Sequence, residues 1–172
     1  DIYVQFGFTA ENPNVDLGAA LPTFRVTAKG KDGSILDTQD AVLFSIAPGA
    51  TVAWTSQLSV AEEPASVEVV FVQADWVPWP PPGEEVPSFV ASNVSGRQDG
   101  SYYTVTGEVA NESSSTVESA RVSAVLRDKG GAVVGYGQGY VNGLPANSPT
   151  PFTLDAWFAS KPDSVEILAE PW

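Results

Sequence analysis

The chain has 172 residues, with 21 acidic against 8 basic side chains, a net charge of −13, and no cysteine, histidine or methionine. Without cysteine there is no disulfide, thiolate nucleophile or thiolate metal site, and without histidine the commonest general base and transition-metal ligand is missing too. The acidic balance argues against nucleic acid and anionic membrane surfaces as partners, since both need clustered Lys and Arg, and no run approaches the roughly 20 apolar residues of a membrane span.

Apolar residues alternate with a period of two, and no segment shows the three-and-four spacing of a helix. The first predicted strand surrounds Tyr3 to Asn12. The clearest is Phe24 to Lys31, where Phe24, Val26, Ala28 and Gly30 share one face and Arg25, Thr27, Lys29 and Lys31 the other. One dry and one wet face mark an antiparallel sheet packed on one side. Asp32-Gly33 follows as a hairpin turn, because glycine accepts positive φ without a steric cost. Further strands are predicted over Ser34 to Phe44, around Val52 to Leu58, and over Val67 to Val72, with a turn at Pro48-Gly49.

The stretch Asp75 to Pro87 contains five prolines. Proline lacks the N–H that a sheet ladder needs and favours an extended, stiff backbone, so residues 76–87 are expected to be a semi-rigid Trp/Pro-rich linker. After it the pattern restarts. Phe89 to Ser95 alternates, then Tyr102 to Asn111. Ala120 to Arg127 places Ala120, Val122, Ala124 and Leu126 inward and Arg121, Ser123 and Arg127 outward. Asp128-Lys129-Gly130-Gly131 is a turn. Strands over Ala132 to Val141, around Phe152 to Ala156, and over Val165 to Ala169 complete the series.

The second series repeats the first. Tyr3 to Asn12 aligns with Tyr102 to Asn111 at a separation of 99. Phe24 to Ala28 aligns with Ala120 to Ala124 at 96, and Pro64 to Val69 with Pro162 to Ile167 at 98. A self-match of near-constant spacing means a duplicated unit of small-domain size. The expected fold class is all-β: two tandem antiparallel β-sandwich domains over residues 1–75 and 88–172. Val26, Trp54, Val67 and Val69 are the predicted core of the first, with Val122, Phe152, Val165 and Ile167 in the second. On this alternation Val122→Asp should be severe and Ser123→Asp mild. The second copy carries one strand more, at Phe89. The first begins at Asp1-Ile2, so an edge-strand pairing through the Tyr3 strand is expected, filled by an upstream segment or by a neighbouring molecule.

Gly107-Glu108-Val109-Ala110-Asn111, followed by Ala120 to Arg127, Asp128, the glycine turn and Val133-Val134, resembles the FxLYD-type immunoglobulin-like domains of bacterial and archaeal envelope proteins. The match covers most of residues 88–172 and, more weakly, 1–76. The namesake Phe falls on Ala124 and the Tyr on Arg127, while Leu126 and Asp128 agree. The resemblance implies an immunoglobulin-like fold and an extracytoplasmic setting, secreted or anchored at the cell surface. It carries no catalytic residues to transfer.

Four features are candidate sites. Trp76 and Trp79 flank Val77-Pro78, and flat apolar rings stack on a sugar or a protein partner; they would equally serve by packing on the domains and fixing the linker. Tyr136 and Tyr140 share a strand face among glycines, which suits a binding strip or an edge-strand bulge. Asp32, Asp37, Asp40, Glu84 and Glu85 are the acidic residues from which calcium would be coordinated, yet no D-x-D-x-D-G run is present and solvated turn carboxylates explain them as well. Asn93-Val94-Ser95 and Asn111-Glu112-Ser113 fit the glycosylation pattern at near-chance frequency.

Catalysis needs an activated nucleophile or paired carboxylates in a cleft. Neither is legible, so the chain is expected to be no enzyme and to need no cofactor and no structural metal. The expected function is a non-catalytic spacer and interaction module of a cell-envelope or secreted protein. The rival is a carbohydrate- or protein-binding module using Trp76, Trp79, Tyr136 and Tyr140. A protein or a surface glycan is the expected partner class.

Overall fold

The computed structural model describes residues 2–172, and every regular element among them is a β-strand. The chain forms two compact units, Asp1–Pro82 and Gly83–Trp172.

The first unit holds β1 (Ile2–Glu11), β2 (Leu17–Lys29), β3 (Ile35–Val42), β4 (Ser45–Ile46), β5 (Thr51–Val60) and β6 (Ser66–Pro78). β1 and β5 form an antiparallel pair running from Ile2↔Val60 to Glu11↔Thr51. β2 is the centre of the other sheet, with β6 along one edge and β4 and then β3 along the other. Leu21, at φ 46°, marks the step between those two partners. Apolar side chains from both sheets, among them Phe8, Val26, Leu43 and Leu58, form one buried cluster. Burial of this apolar area is the main term holding the sheets together.

The second unit holds β7 (Phe89–Asp99), β8 (Tyr102–Asn111), β9 (Val117–Arg127), β10 (Val133–Leu144), β11 (Ser148–Phe158) and β12 (Ser164–Pro171). Its six strands follow the order β12-β9-β10-β11-β8-β7, all antiparallel. The link between β10 and β11 is short, Gly135↔Phe158 to Gly137↔Ala156. A Cβ on Gly135 would collide with Trp157 O, and one on Gly137 would sit 2.7 Å from Asp155 O. The glycines are therefore what lets the backbone of β11 approach. A separate apolar cluster, including Val105, Val122, Leu126 and Leu154, fills this unit.

The repeat is real but its register differs from the sequence alignment. β2 pairs Arg25↔Val70 and Lys29↔Ser66, and β9 pairs Ser123↔Leu168 and Arg127↔Ser164. Both strands and their partners are thus offset by 98 (123 − 25, 168 − 70, 127 − 29, 164 − 66), not 96. The counterpart of Arg25 is Ser123, and that of Arg121 is Thr23. The turns agree: Gly30 N–H donates to Ser34 O, and Asp128 N–H to Ala132 O, so Gly30 and not Asp32 matches Asp128. Gly33 and Gly131 both sit at φ 83°.

Asn12 and Asn111 are the polar landmark shared by both units. Each is buried, at 2% and 0% exposure. Asn12 Nδ2 donates to Leu17 O and Ile46 O, and Asn111 Nδ2 to Ser115 O and Leu144 O. Each Oδ1 accepts from the backbone N–H two residues on, that of Asn14 and Ser113. A buried amide is stable only when its donors and acceptors are met, and here they pin the turn that follows β1 or β8 to the loop ahead of β5 or β11.

Three expectations change. The linker does not begin at residue 76: β6 runs on through Trp76 to Pro78, pairing Ala19↔Trp76 and Leu17↔Pro78, and Trp79 N–H donates to Asp16 O. Proline is tolerated there because β6 is an edge strand. The outward residues of β9 are not wet: Arg121 is 0% and Ser123 2% exposed, so both faces of this strand are covered. The core is also narrower than predicted. Val26, Val122 and Phe152 are buried, but Trp54, Val67, Val165 and Ile167 are half-buried, and Val69, on the edge strand β6, is exposed.

Candidate functional site

The outer face of β10, β9 and β12 presents the densest arrangement of functional groups. Three rows of side chains cross it in register: Tyr136–Val125–Glu166, Gln138–Ser123–Leu168 and Tyr140–Arg121–Glu170. Arg121 lies fully buried at the centre of the last row. Its Nε donates to Glu170 Oε1 at 3.0 Å, and its guanidinium lies 5.2 Å from the ring centre of Trp172. Trp172 in turn meets Tyr140 at 5.2 Å between ring centres, tilted 57°. Trp172 and Tyr140 remain about half exposed, at 56% and 50%. The result is a buried charge pair with Trp172 over the guanidinium and Tyr140 against Trp172.

Burial raises the carboxyl of Glu170 above its usual pKa, and Arg121 opposes that with its charge and hydrogen bond. Burial likewise raises the phenol of Tyr136, against the pull of Arg127. The paired ions gain each other's charge and lose water, two effects that largely offset each other in net stability. Chemically, the face offers flat apolar rings, a phenolic hydroxyl and the amide of Gln138, whose Nε2 lies 3.4 Å from Tyr140 Oη. Such a surface stacks on rings and apolar side chains.

The four aromatic candidates separate into two places. Tyr136 and Tyr140 stand on β10 in the second unit, the first half-buried and the second exposed. Trp76 and Trp79 belong to the first unit. Trp76 is 46% exposed and packs against Phe71 at 6.3 Å, ending a chain of rings that runs Phe8, Phe24, Phe71, Trp76. Trp79 is half-buried against Gly18, where any side chain would strike its ring. Trp79 thus packs on its own unit, while Trp76 borders a cavity of about 370 Å³ together with Phe71 and Asn12.

The acidic candidates have structural occupations. Asp32 Oδ1 accepts from the N–H and hydroxyl of Ser34, Asp40 forms a two-pronged pair with Arg25, and Glu85 accepts from the N–H and hydroxyl of Ser114. Those bonds hold all three carboxyls below their usual pKa. Asp37 takes the N–H of Thr38. No cluster of three carboxylates suited to a metal ion occurs among the described residues. Of the two glycosylation patterns, Asn111 is fully buried and so is no acceptor, while Asn93 is exposed at φ 53° with its amide on Glu108.

Sequence reasoning missed Arg121, Glu170 and Trp172. The signal was present only as a basic residue amid apolar neighbours on β9 and an acid two positions before Trp172. Reading it requires the register across three strands. Comparison with known proteins adds no relative: no family model, no curated protein and no solved structure matches the chain.

Proposed function

We propose that the chain is a non-catalytic, extracytoplasmic spacer and interaction module made of two immunoglobulin-like β-sandwiches. The observation that carries this reading is the duplication itself: two units with separate cores, the same asparagine-pinned corner and matching strands, β1, β2, β3, β5 and β6 in one and β8 to β12 in the other. A repeated rigid unit is a way to build length. The acidic and aromatic groups are largely engaged in turns, ion pairs and packing, which favours a structural role over turnover. Stretching single molecules tests it. A spacer should unfold in two discrete events, each releasing about 250–300 Å of chain for a unit of this size. A single event, or gradual extension without force peaks, contradicts the reading.

A second reading rests on a specific observation, the half-exposed rings of Tyr140 and Trp172 beside Arg121. In it the second unit binds a glycan or protein through that face. Titration with a panel of neutral and acidic oligosaccharides, followed by tryptophan fluorescence in the wild type and in Trp172→Ala, separates the two. A saturable change lost in the variant supports binding; none across the panel supports the spacer.

A further inference from the structure

The second unit covers the free edge of β8 with β7, whereas β1, the counterpart of β8, pairs with β5 alone among the described residues. Asn12 uses both of its backbone groups toward the β5 side, donating to Ala50 O and accepting from Gly49 N–H. In an antiparallel ladder the direction alternates along the strand, so Gly7, Thr9 and Glu11 aim their N–H and C=O groups at the open edge. In the second unit the same side of β8 is engaged: Glu112 N–H donates to Ser88 O. The gap beside β1 is also a groove. Near the start of β1 a cavity of about 610 Å³ is lined by Tyr3, Val4 and Val67. Near its end lies the 370 Å³ cavity, lined by Glu11, Asn12, Phe71 and Trp76. β7 lies beside β12 and puts Phe89 opposite Asn111, where its ring packs on the core. Asn111 corresponds to Asn12, so the second cavity sits at the level that Phe89 fills in the other unit.

We propose that the β1 edge and the groove between β1 and β6 accept an extended polypeptide strand. The strand runs antiparallel to β1, places an aromatic ring at the level of Asn12 and alternates apolar residues inward, as β7 does for β8. Main-chain bonds to Gly7, Thr9 and Glu11 supply affinity, and the two cavities supply side-chain selection. Pro13 stands where Glu112 donates in the second unit, so engagement begins at Glu11. Proline beside an otherwise open edge also limits indiscriminate pairing. Glu11 and Glu63 line the groove of a chain with net charge −13, which favours a strand that is neutral or basic on its outward side.

The probe is the chain's own strand as a synthetic peptide, residues 88–99, titrated into the full 172-residue protein with amide hydrogen exchange as the readout. The expected result is saturable binding with exchange at Gly7, Thr9 and Glu11 slowed at least tenfold. A peptide N-methylated at Val90, which faces the ladder, should bind at least tenfold more weakly; altering the peptide leaves the protein's folding untouched. Absence of binding up to millimolar peptide, protection of β8 in place of β1, or indifference to N-methylation each overturns the proposal. Protection of β1 that grows with protein concentration in the absence of peptide overturns it too, in favour of a second copy as the occupant.

Discussion

The two units share a strand plan and differ in how each houses an arginine on corresponding strands, Arg25 on β2 and Arg121 on β9, which stand two places apart in the repeat. On β2, Arg25 pairs with Asp40 on the outer face in open water, with side chains 53% and 42% exposed. On β9, Arg121 is sealed against Glu170, with side chains 0% and 13% exposed, beneath Trp172. An arginine on the strand paired with β6 or with β12 is thus solvated in one unit and part of the interior in the other. The second contrast is on the neighbouring strand. Gly135 and Gly137 let β10 meet β11, whereas their counterparts at an offset of 98 are Asp37 and Gln39, on a strand, β3, that does not pair with β5. What a position does depends on what covers it, more than on its residue type.

The largest expected effect breaks the ion-pair contrast. Glu170→Ala removes the carboxylate paired with a buried guanidinium and should destabilise the second unit by a few kcal/mol, up to about 3–5. Asp40→Ala, at a solvated site, should cost the first unit only a small fraction of that. Urea unfolding with unit-resolved NMR signals measures both, and equal losses would erase the distinction. The asparagine corner should sharpen the comparison by showing likeness: Asn12→Ala and Asn111→Ala each strand buried carbonyls and amides, and each should cost its own unit about 2 kcal/mol or more. A large effect in one unit alone would mean the corners are not equivalent.

Gly137→Ala forces a methyl against Asp155 O and should cost about 1–3 kcal/mol through overpacking. Gln39→Ala at the matching position should be close to neutral. The smallest effect concerns pH. Glu170 has a raised folded pKa, so its contribution is present in full below the ordinary glutamate range and fades as pH climbs through the raised value. Asp40 has a lowered folded pKa, so its contribution is present above the ordinary aspartate range and fades as pH falls through the lowered value. The differences between wild type and Glu170→Gln, and between wild type and Asp40→Asn, should therefore slope in opposite directions between mildly acidic and strongly acidic pH. Parallel slopes in thermal melts would refute the assignment.

Much of the strand plan was legible because alternation is a local signal. Val26 and Ala28 read as inward from their own strand and are fully buried. The repeat was legible too, although its register slipped by two residues on β2 and β9. A two-residue slip keeps every side chain on its face, so alternation cannot detect it; only the partners Val70 and Leu168 decide it. Ser123 shows the limit more sharply. It reads as outward, with Ser123→Asp mild, yet it is 2% exposed, and the substitution should be about as severe as Val122→Asp because both would bury a charge. Which face of a sheet is covered depends on side chains brought from distant strands, here Glu170 and Trp172 beside Arg121. Of the candidate rings, Tyr140 and Trp76 are exposed and Tyr136 and Trp79 half-buried, an outcome alternation left open, and nothing in the sequence showed that Gly18 receives Trp79.

The glycines of β10 also bear on how the chain finds its fold. Tandem copies on one polypeptide invite mistakes, because a strand from one copy can dock on the equivalent partner of the other before either is complete. β11 needs a neighbour without side chains at two alternate positions. β10 offers Gly135 and Gly137 there, while β3 carries side chains at the matching positions, Asp37 and Gln39. That difference disfavours this particular exchange during folding. The pair of missing side chains thus works as an address, read while the sheets are still assembling.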